Sequence, residues 1–253
     1  MEQAMRTELV VRTAKLAGRL LLENGAETYR VEDTVSYICN QYGLTDVEVI
    51  ALPTGAIYSF VDEQGVPHSE VIRTKVRTTN LGCVARVNDI SRGMTSGRLT
   101  LEEGCAKLEE ISRTGPQPLW LSLLANMLSA AFFALLFGAQ WFDFIVAGVC
   151  GGVARLLGLL FSEDNISSTM YSLLAGALSS VIALASVRIF SMGSQTAIIT
   201  GAIMPLLPGL AITNAIRDTV NGDLVSGVAR TAEALLKAIA IAAGVGVVIA
   251  LWR

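Results

Sequence analysis

Histidine is almost missing from this chain: His68 is the one example in 253 residues. It stands beside Pro67 in a turn-rich stretch and reads as an exposed loop residue. A single histidine excludes the multi-histidine metal centres, and its neighbour Ser69 makes no triad, because adjacency says little about geometry. Cysteine is sparse too. Cys39, Cys83, Cys105 and Cys150 are dispersed, with no C-x-x-C pair. That argues against a zinc ribbon and predicts free, buried thiols in a reducing compartment. Also missing are G-x-S-x-G, H-E-x-x-H and the phosphate-binding P-loop. No catalytic residue, metal ligand or cofactor is therefore expected. A net charge of −3 gives no electrostatic reason to bind nucleic acid.

Charge is scarce in one half only. Residues 1–118 hold 13 Lys/Arg and 16 Asp/Glu, whereas residues 119–253 hold 6 of each. Mean hydropathy is +0.54, high for a soluble protein. The second half divides into five apolar segments near residues 119–138, 142–161, 169–190, 195–213 and 224–252. Each is about 20 residues, or about 30 Å as helix, enough to cross a bilayer. Trp120, Trp141 and Trp252 fall at segment ends, where indole meets the headgroups. The expected architecture is an α+β domain over residues 1–115, then an all-α bundle of five transmembrane helices over 116–253. With no signal peptide before the charged half, that half is expected in the cytoplasm. The chain would be a multi-pass protein of the cytoplasmic (inner) membrane, its partner the lipid bilayer. The positive-inside bias is modest: Arg217 and Arg230 would lie inside, Arg188 and Arg253 outside, and the loop 162–166 inside without positive charge. Small residues four apart (Gly148 and Gly152, Gly176 and Ser180, Ala240 and Gly244) allow close helix approach. Five helices are few to enclose a polar pathway, leaving faces for another subunit or for a homo-oligomer.

In the first half, helical periodicity covers residues 5–24, ending at the turn Asn24–Gly25. A second helix is expected over 27–42. Strand-like runs follow at 47–52, 56–62 and 71–77, punctuated by turn residues, and predict a three-stranded antiparallel meander. Two helices are expected over 81–93 and 101–114, the latter opened by a Thr100–Glu103 capping box. Residues 115–118 form the hinge. Glu23, Glu27, Glu32 and Asp33 make an acidic patch, read as a solvated face.

The polar residues of the apolar half need reasons, since ionisable groups in a bilayer are costly. Arg155 sits in the second segment and either lines a pathway or snorkels to the headgroups. Ser226, Arg230, Glu233 and Lys237 share one helical face, so that Arg230–Glu233 and Glu233–Lys237 can pair, and Asp223 can cap that helix. Pro205, Pro208 and Gly209 should kink or unwind the fourth segment, because proline removes an amide donor and clashes with the preceding turn. Unwound backbone at membrane depth is tolerated where it is buried or lines a cavity, and secondary transporters build sites from it. Asn214, Arg217 and Asp218 follow the break. Arg217 suits a substrate carboxylate. Asp218 can hold that arginine, receive an ammonium group or carry a proton. Alternatively, both simply begin a cytoplasmic loop.

These residues carry a resemblance. The run LENGAETYRVE from Leu22 to Glu32, Pro53 to Gly55, Pro208–Gly209, TNAIRD from Thr213 to Asp218, Gly222–Asp223 and SGVAR from Ser226 to Arg230 stand in an order that resembles the threonine/serine exporter family. The match covers nearly the whole chain. The resemblance implies a secondary exporter of small polar metabolites with no cofactor. Single-chain members carry about ten spans, so this chain resembles the larger subunit of a split, two-component exporter. The implied partner is a short five-span membrane subunit, inserted upside down as an inverted repeat. Split members are linked to export of the C4 dicarboxylate succinate, the single-chain type to threonine and serine. A membrane-anchored hydrolase or a sensor acting through the first domain is the alternative reading.

Overall fold

The computed structural model describes residues 2–74, 78–115, 117–160 and 168–252. It divides into two compact units, Met1–Gly115 with Leu210–Thr231, and Pro116–Gly209 with Ala232–Arg253.

The first unit opens with α1 (Glu2–Glu23) and α2 (Thr28–Gln41). A meander follows, with β1 (Thr45–Leu52), β2 (Gly55–Val61) and β3 (Pro67–Arg73) in the order β1-β2-β3. Both pairings are antiparallel, and Ile50, Ile57 and Val71 lie in register across the sheet. α3 (Leu81–Thr95) and α4 (Leu101–Arg113) complete the first 115 residues. The Thr100 hydroxyl accepts from Glu103 N–H while the Glu103 carboxylate accepts from Thr100 N–H, a full capping box. The inward-facing alternate residues of the sheet, Tyr58 and Ile72 among them, join Val10, Leu21, Val31, Ile38, Val87 and Leu108 in one core. Each such side chain contributes about 1.5–3 kcal/mol on burial. The Tyr58 hydroxyl donates to Val11 O at 3.2 Å, so its polar end is satisfied.

The third strand begins at Pro67, four residues before the sequence-based expectation of 71–77, and residues 75–77 lie outside the described residues. β3 is an edge strand, where a leading proline forfeits no ladder bond. His68 is accordingly on a strand and not in a loop. It stacks on Phe60 with ring centroids 5.2 Å apart, and its Nε2 lies 2.8 Å from Asp62 Oδ2.

The second unit holds α5 (Leu119–Leu136), α6 (Trp141–Leu160), α7 (Ser168–Phe190), α8 (Gln195–Ile203) and the greater part of α10 (Leu224–Leu251). Among the described residues four helices are long and apolar enough to cross a membrane, five if α8 and α9 (Gly209–Val220) count as one bent span. Only 17% of α5's most apolar window and 22% of α10's is buried. Their apolar side chains therefore face outward, as lipid-exposed helices require. The predicted loop 162–166, Pro116 of the hinge and Arg253 lie outside the described residues.

Small residues bring these helices together. A Cβ added at Gly244 would stand 2.2 Å from Leu173 O, and one at Gly176 would stand 3.0 Å from Ile241 O. Asp143, fully buried at the start of α6, is a residue the sequence reading passed over. Its carboxylate accepts from Gln140 N–H at 3.0 Å and from Ser194 N–H at 2.8 Å, which ties the α5–α6 connection to the start of α8.

Candidate functional site: a polar cluster on the α1–α2 turn

The site in the first unit is built from two helix–helix turns. α1 ends in a Schellman motif: Ala26 N–H reaches Leu21 O at 3.0 Å and Gly25 N–H reaches Leu22 O, with Gly25 at φ +83°. α9 ends the same way. Asp223 N–H reaches Asp218 O at 2.8 Å and Gly222 N–H reaches Thr219 O, with Gly222 at φ +96°. Glycine suits both positions because the left-handed conformation costs it nothing.

Backbone carbonyls of the first turn are met by side chains of the second. Asn214 Nδ2 donates to Gly25 O at 2.9 Å, and Arg230 Nη2 donates to Ala26 O at 2.9 Å. Glu27 occupies the cap position of α2, yet its side chain makes no capping bond. Asp218 supplies that function from another helix: its Oδ1 accepts the Thr28 backbone N–H at 3.2 Å and the Thr28 hydroxyl at 2.9 Å. The arrangement satisfies an otherwise orphaned amide and sets a negative charge at the positive end of α2.

Four carboxylates converge here. Asp218 is fully buried, and its Oδ2 lies 2.9 Å from Arg230 Nε, whose side chain is 12% exposed. The two atoms form a close ion pair whose N–H is not aligned for a linear hydrogen bond. Asp223 Oδ2 lies 3.0 Å from the Thr28 hydroxyl. That hydroxyl has one proton for two carboxylates, so it donates to Asp218 or to Asp223, not to both. Glu32 accepts from Ala51 N–H at 2.8 Å, and Ser226 Oγ donates to Ala51 O at 3.3 Å. Burial raises the Glu32 pKa; the Ala51 hydrogen bond opposes this, and the charges of Asp223, Asp33 and Asp218 reinforce it. Glu27, the fourth, places Oε1 at 2.5 Å from Arg217 Nη1 and Oε2 at 2.8 Å from Arg30 Nε.

Several sequence expectations change. The acidic patch is a solvated face only in part: Asp33 is exposed, Glu23 and Glu32 are half-buried, and Glu27 is buried with two guanidiniums to neutralise it. Arg217 and Asp218 do not begin a loop, since α9 runs on to Val220. Nor does Asp218 hold Arg217. Successive helical residues diverge by about 100°, so Arg217 turns to Glu27 and Asp218 to Thr28 and Arg230. Of the two pairings expected on α10, Glu233–Lys237 forms at 3.0 Å in the second unit, while Arg230 is committed to Asp218. Asp223 turns to Thr28.

In the second unit the chain breaks after Ile203: Met204–Leu206 is a 3-10 turn containing Pro205, Leu207 is extended, and helix resumes at Gly209 beyond Pro208. Arg155 Nε donates to Ser122 Oγ at 2.6 Å, and Tyr171 donates to Ala154 O at 3.0 Å. Sequence reasoning missed Thr28, Arg30 and the bridging role of Glu27. The available signal was their position next to an Asn-Gly turn in the run that carries the resemblance.

None of the four cysteines forms a disulfide, and all are buried; burial pushes the Cys39 thiol up to about 12, which makes it unreactive. Among the described residues no group of three or more His, Cys, Asp or Glu side chains has the arrangement of a metal site.

Comparison with known proteins places these features. The chain is 26% identical over 94% of its length to a Mycobacterium tuberculosis protein named "Probable threonine/serine exporter", of which it spans 44%. It is 26% identical over 92% of its length to an uncharacterised Schizosaccharomyces pombe protein, spanning 32% of it. It is 24% identical over 99% of its length to an Escherichia coli protein named "Probable succinate transporter subunit YjjP", spanning 97% of it. The chain thus covers less than half of the first two relatives. No solved structure matches it. A family model described as "Putative threonine/serine exporter" matches residues 12–252, the turn residues and the polar α9–α10 segment included. The chain belongs to the threonine/serine exporter family.

Proposed function

We propose that the chain is a subunit of a secondary transporter that exports small polar metabolites across the cytoplasmic membrane. The exported solute is an amino acid of the threonine/serine type or a C4 dicarboxylate such as succinate, the two solutes named in its relatives. In this reading residues 1–115 form a cytoplasmic domain and residues 116–253 a bundle of five transmembrane helices. A short five-span membrane subunit completes an inverted repeat. The E. coli relative, matched over nearly its whole length, is named as a subunit, which supports the partner.

The observation that carries the reading is the buried polar cluster within an otherwise apolar helical segment. In the first unit Asn214, Asp218 and Arg230 turn inward and Arg217 reaches buried Glu27 from the surface, while Ile212, Ile216 and Val220 are exposed. Such an inside-out helix is costly unless its polar face has work to do. We assign these four residues to the substrate site or its pathway, with Arg217 as the member that meets the carboxylate. A pathway role falls to the break at Pro205, Pro208 and Gly209, and to Arg155 and Glu233, in the second unit. The test is efflux of labelled threonine and labelled succinate from preloaded cells, with the chain expressed alone and with the five-span partner. Efflux of either solute that depends on both chains supports the reading. No efflux of either, with both chains verified in the membrane, overturns it.

A further inference from the structure

We propose that Arg30 and Arg217, held on opposite oxygens of buried Glu27, form a two-guanidinium receptor for a carboxylate group. The inference deepens the exporter reading and rests on it for the identity of the solute. It adds Arg30, a residue with no role assigned so far, and gives Glu27 a purpose.

The geometry separates the cluster into two poles. At the inner pole Arg230 is spent on Asp218, with its Nη2 on Ala26 O. At the outer pole two cations share one anion, so Glu27, Arg30 and Arg217 sum to one positive charge. The Glu27 side chain is 8% exposed, whereas those of Arg217 and Arg30 are 53% and 38% exposed. The anchoring anion is therefore buried and the cationic forks reach the surface. A guanidinium has five N–H donors, and Glu27 engages Nη1 of Arg217 and Nε of Arg30. Arg30 is braced further: its single Nε–H donates to Tyr29 Oη at 3.2 Å, so its contact with Glu27 is an ion pair, and its Cζ lies 5.8 Å from the Tyr29 ring centroid.

Two arginines pre-positioned in this way can take a second carboxylate on the side away from Glu27, through parallel N–H···O bonds. Because Glu27 already orders both side chains, little rotamer entropy is lost on binding. The recognised group is a carboxylate, present once in an amino acid and twice in a C4 dicarboxylate.

The experiment is ligand binding to the purified full-length chain in lipid nanodiscs. The probes are threonine, succinate and threoninol, the analogue of threonine that lacks the carboxylate. Wild-type protein is expected to bind at least one acid and to prefer threonine to threoninol if threonine is that acid. Arg30→Gln and Arg217→Gln should each weaken the acid by about 10- to 100-fold, the value of a charged hydrogen-bond pair, and leave threoninol unchanged. Glu27→Gln removes the anion that orders both arginines and should also weaken the acid while leaving threoninol unchanged, whereas a merely structural triad would lose threoninol along with the acid in all three variants. Unchanged acid affinity in Arg30→Gln overturns the receptor, as does binding of neither acid to wild-type protein. The efflux experiment fails separately: acid binding without efflux overturns the exporter reading and leaves the receptor standing.

Discussion

At the residue scale, stability and function rest on which charge meets which. The Asp218–Arg230 pair is buried, so deleting one partner strands the other. Asp218→Ala or Arg230→Ala should each destabilise the protein by about 3–5 kcal/mol, and the double variant by less than their sum. Thermal melting of the four proteins in detergent checks this; additive losses would mean the two groups do not interact. Glu32 makes a prediction in pH. Its folded-state pKa is raised, chiefly by burial, so the folded chain holds that proton more tightly than the unfolded chain does. The contribution of Glu32 to stability is then greatest below the ordinary carboxylate pKa and falls as pH rises through the raised folded value. Glu32→Gln keeps an acceptor for Ala51 N–H and abolishes that fall. Variant and wild type should differ least in acid, with the variant gaining melting temperature as pH climbs through this window. Parallel melting profiles would contradict it. Much of this scale was legible in the sequence: Asn214, Arg217, Asp218 and Arg230 stood out as polar residues in an apolar segment. Their partners did not, because Thr28 and Asp218 are 190 positions apart and hydrophobic periodicity has no reach over such distances.

At the element scale, helices were read most closely, since period and cap residues act within one turn. α4 and its capping box match the expectation, and the apolar segments lie within a few residues of α5, α6, α7 and α10. β3 was shifted because Pro67 and His68 look like loop residues locally, while the edge of a sheet tolerates both. The break between α8 and α9 was legible from Pro205 and Pro208 alone, but the inward turn of α9's polar face was not. Pro208→Ala should extend helix through the break and slow export several-fold or more at unchanged protein level. An unchanged rate would leave the break a packing feature. Gly244→Ala tests helix approach in the second unit. Its new methyl would stand 2.2 Å from Leu173 O, a backbone atom that cannot rotate away. A loss of about 1–3 kcal/mol is expected from overpacking, read as a lower melting temperature.

At the scale of the whole molecule, the uneven division of charge between residues 1–118 and 119–253 was the strongest signal. It foretold a charged part followed by apolar helices. It did not foretell that residues 210–231 belong to the same compact unit as residues 1–115, because composition is blind to buried polar pairing. That segment carries Asn214, Arg217, Asp218 and Arg230, and the central claim is that a carboxylate-bearing solute is bound there on its way out of the cell. The most direct test is efflux of labelled threonine and labelled succinate by Arg217→Ala, with the partner subunit present and membrane levels matched to wild type. The account predicts that export falls to background while the protein remains in the membrane. Efflux from Arg217→Ala at the wild-type rate would contradict it.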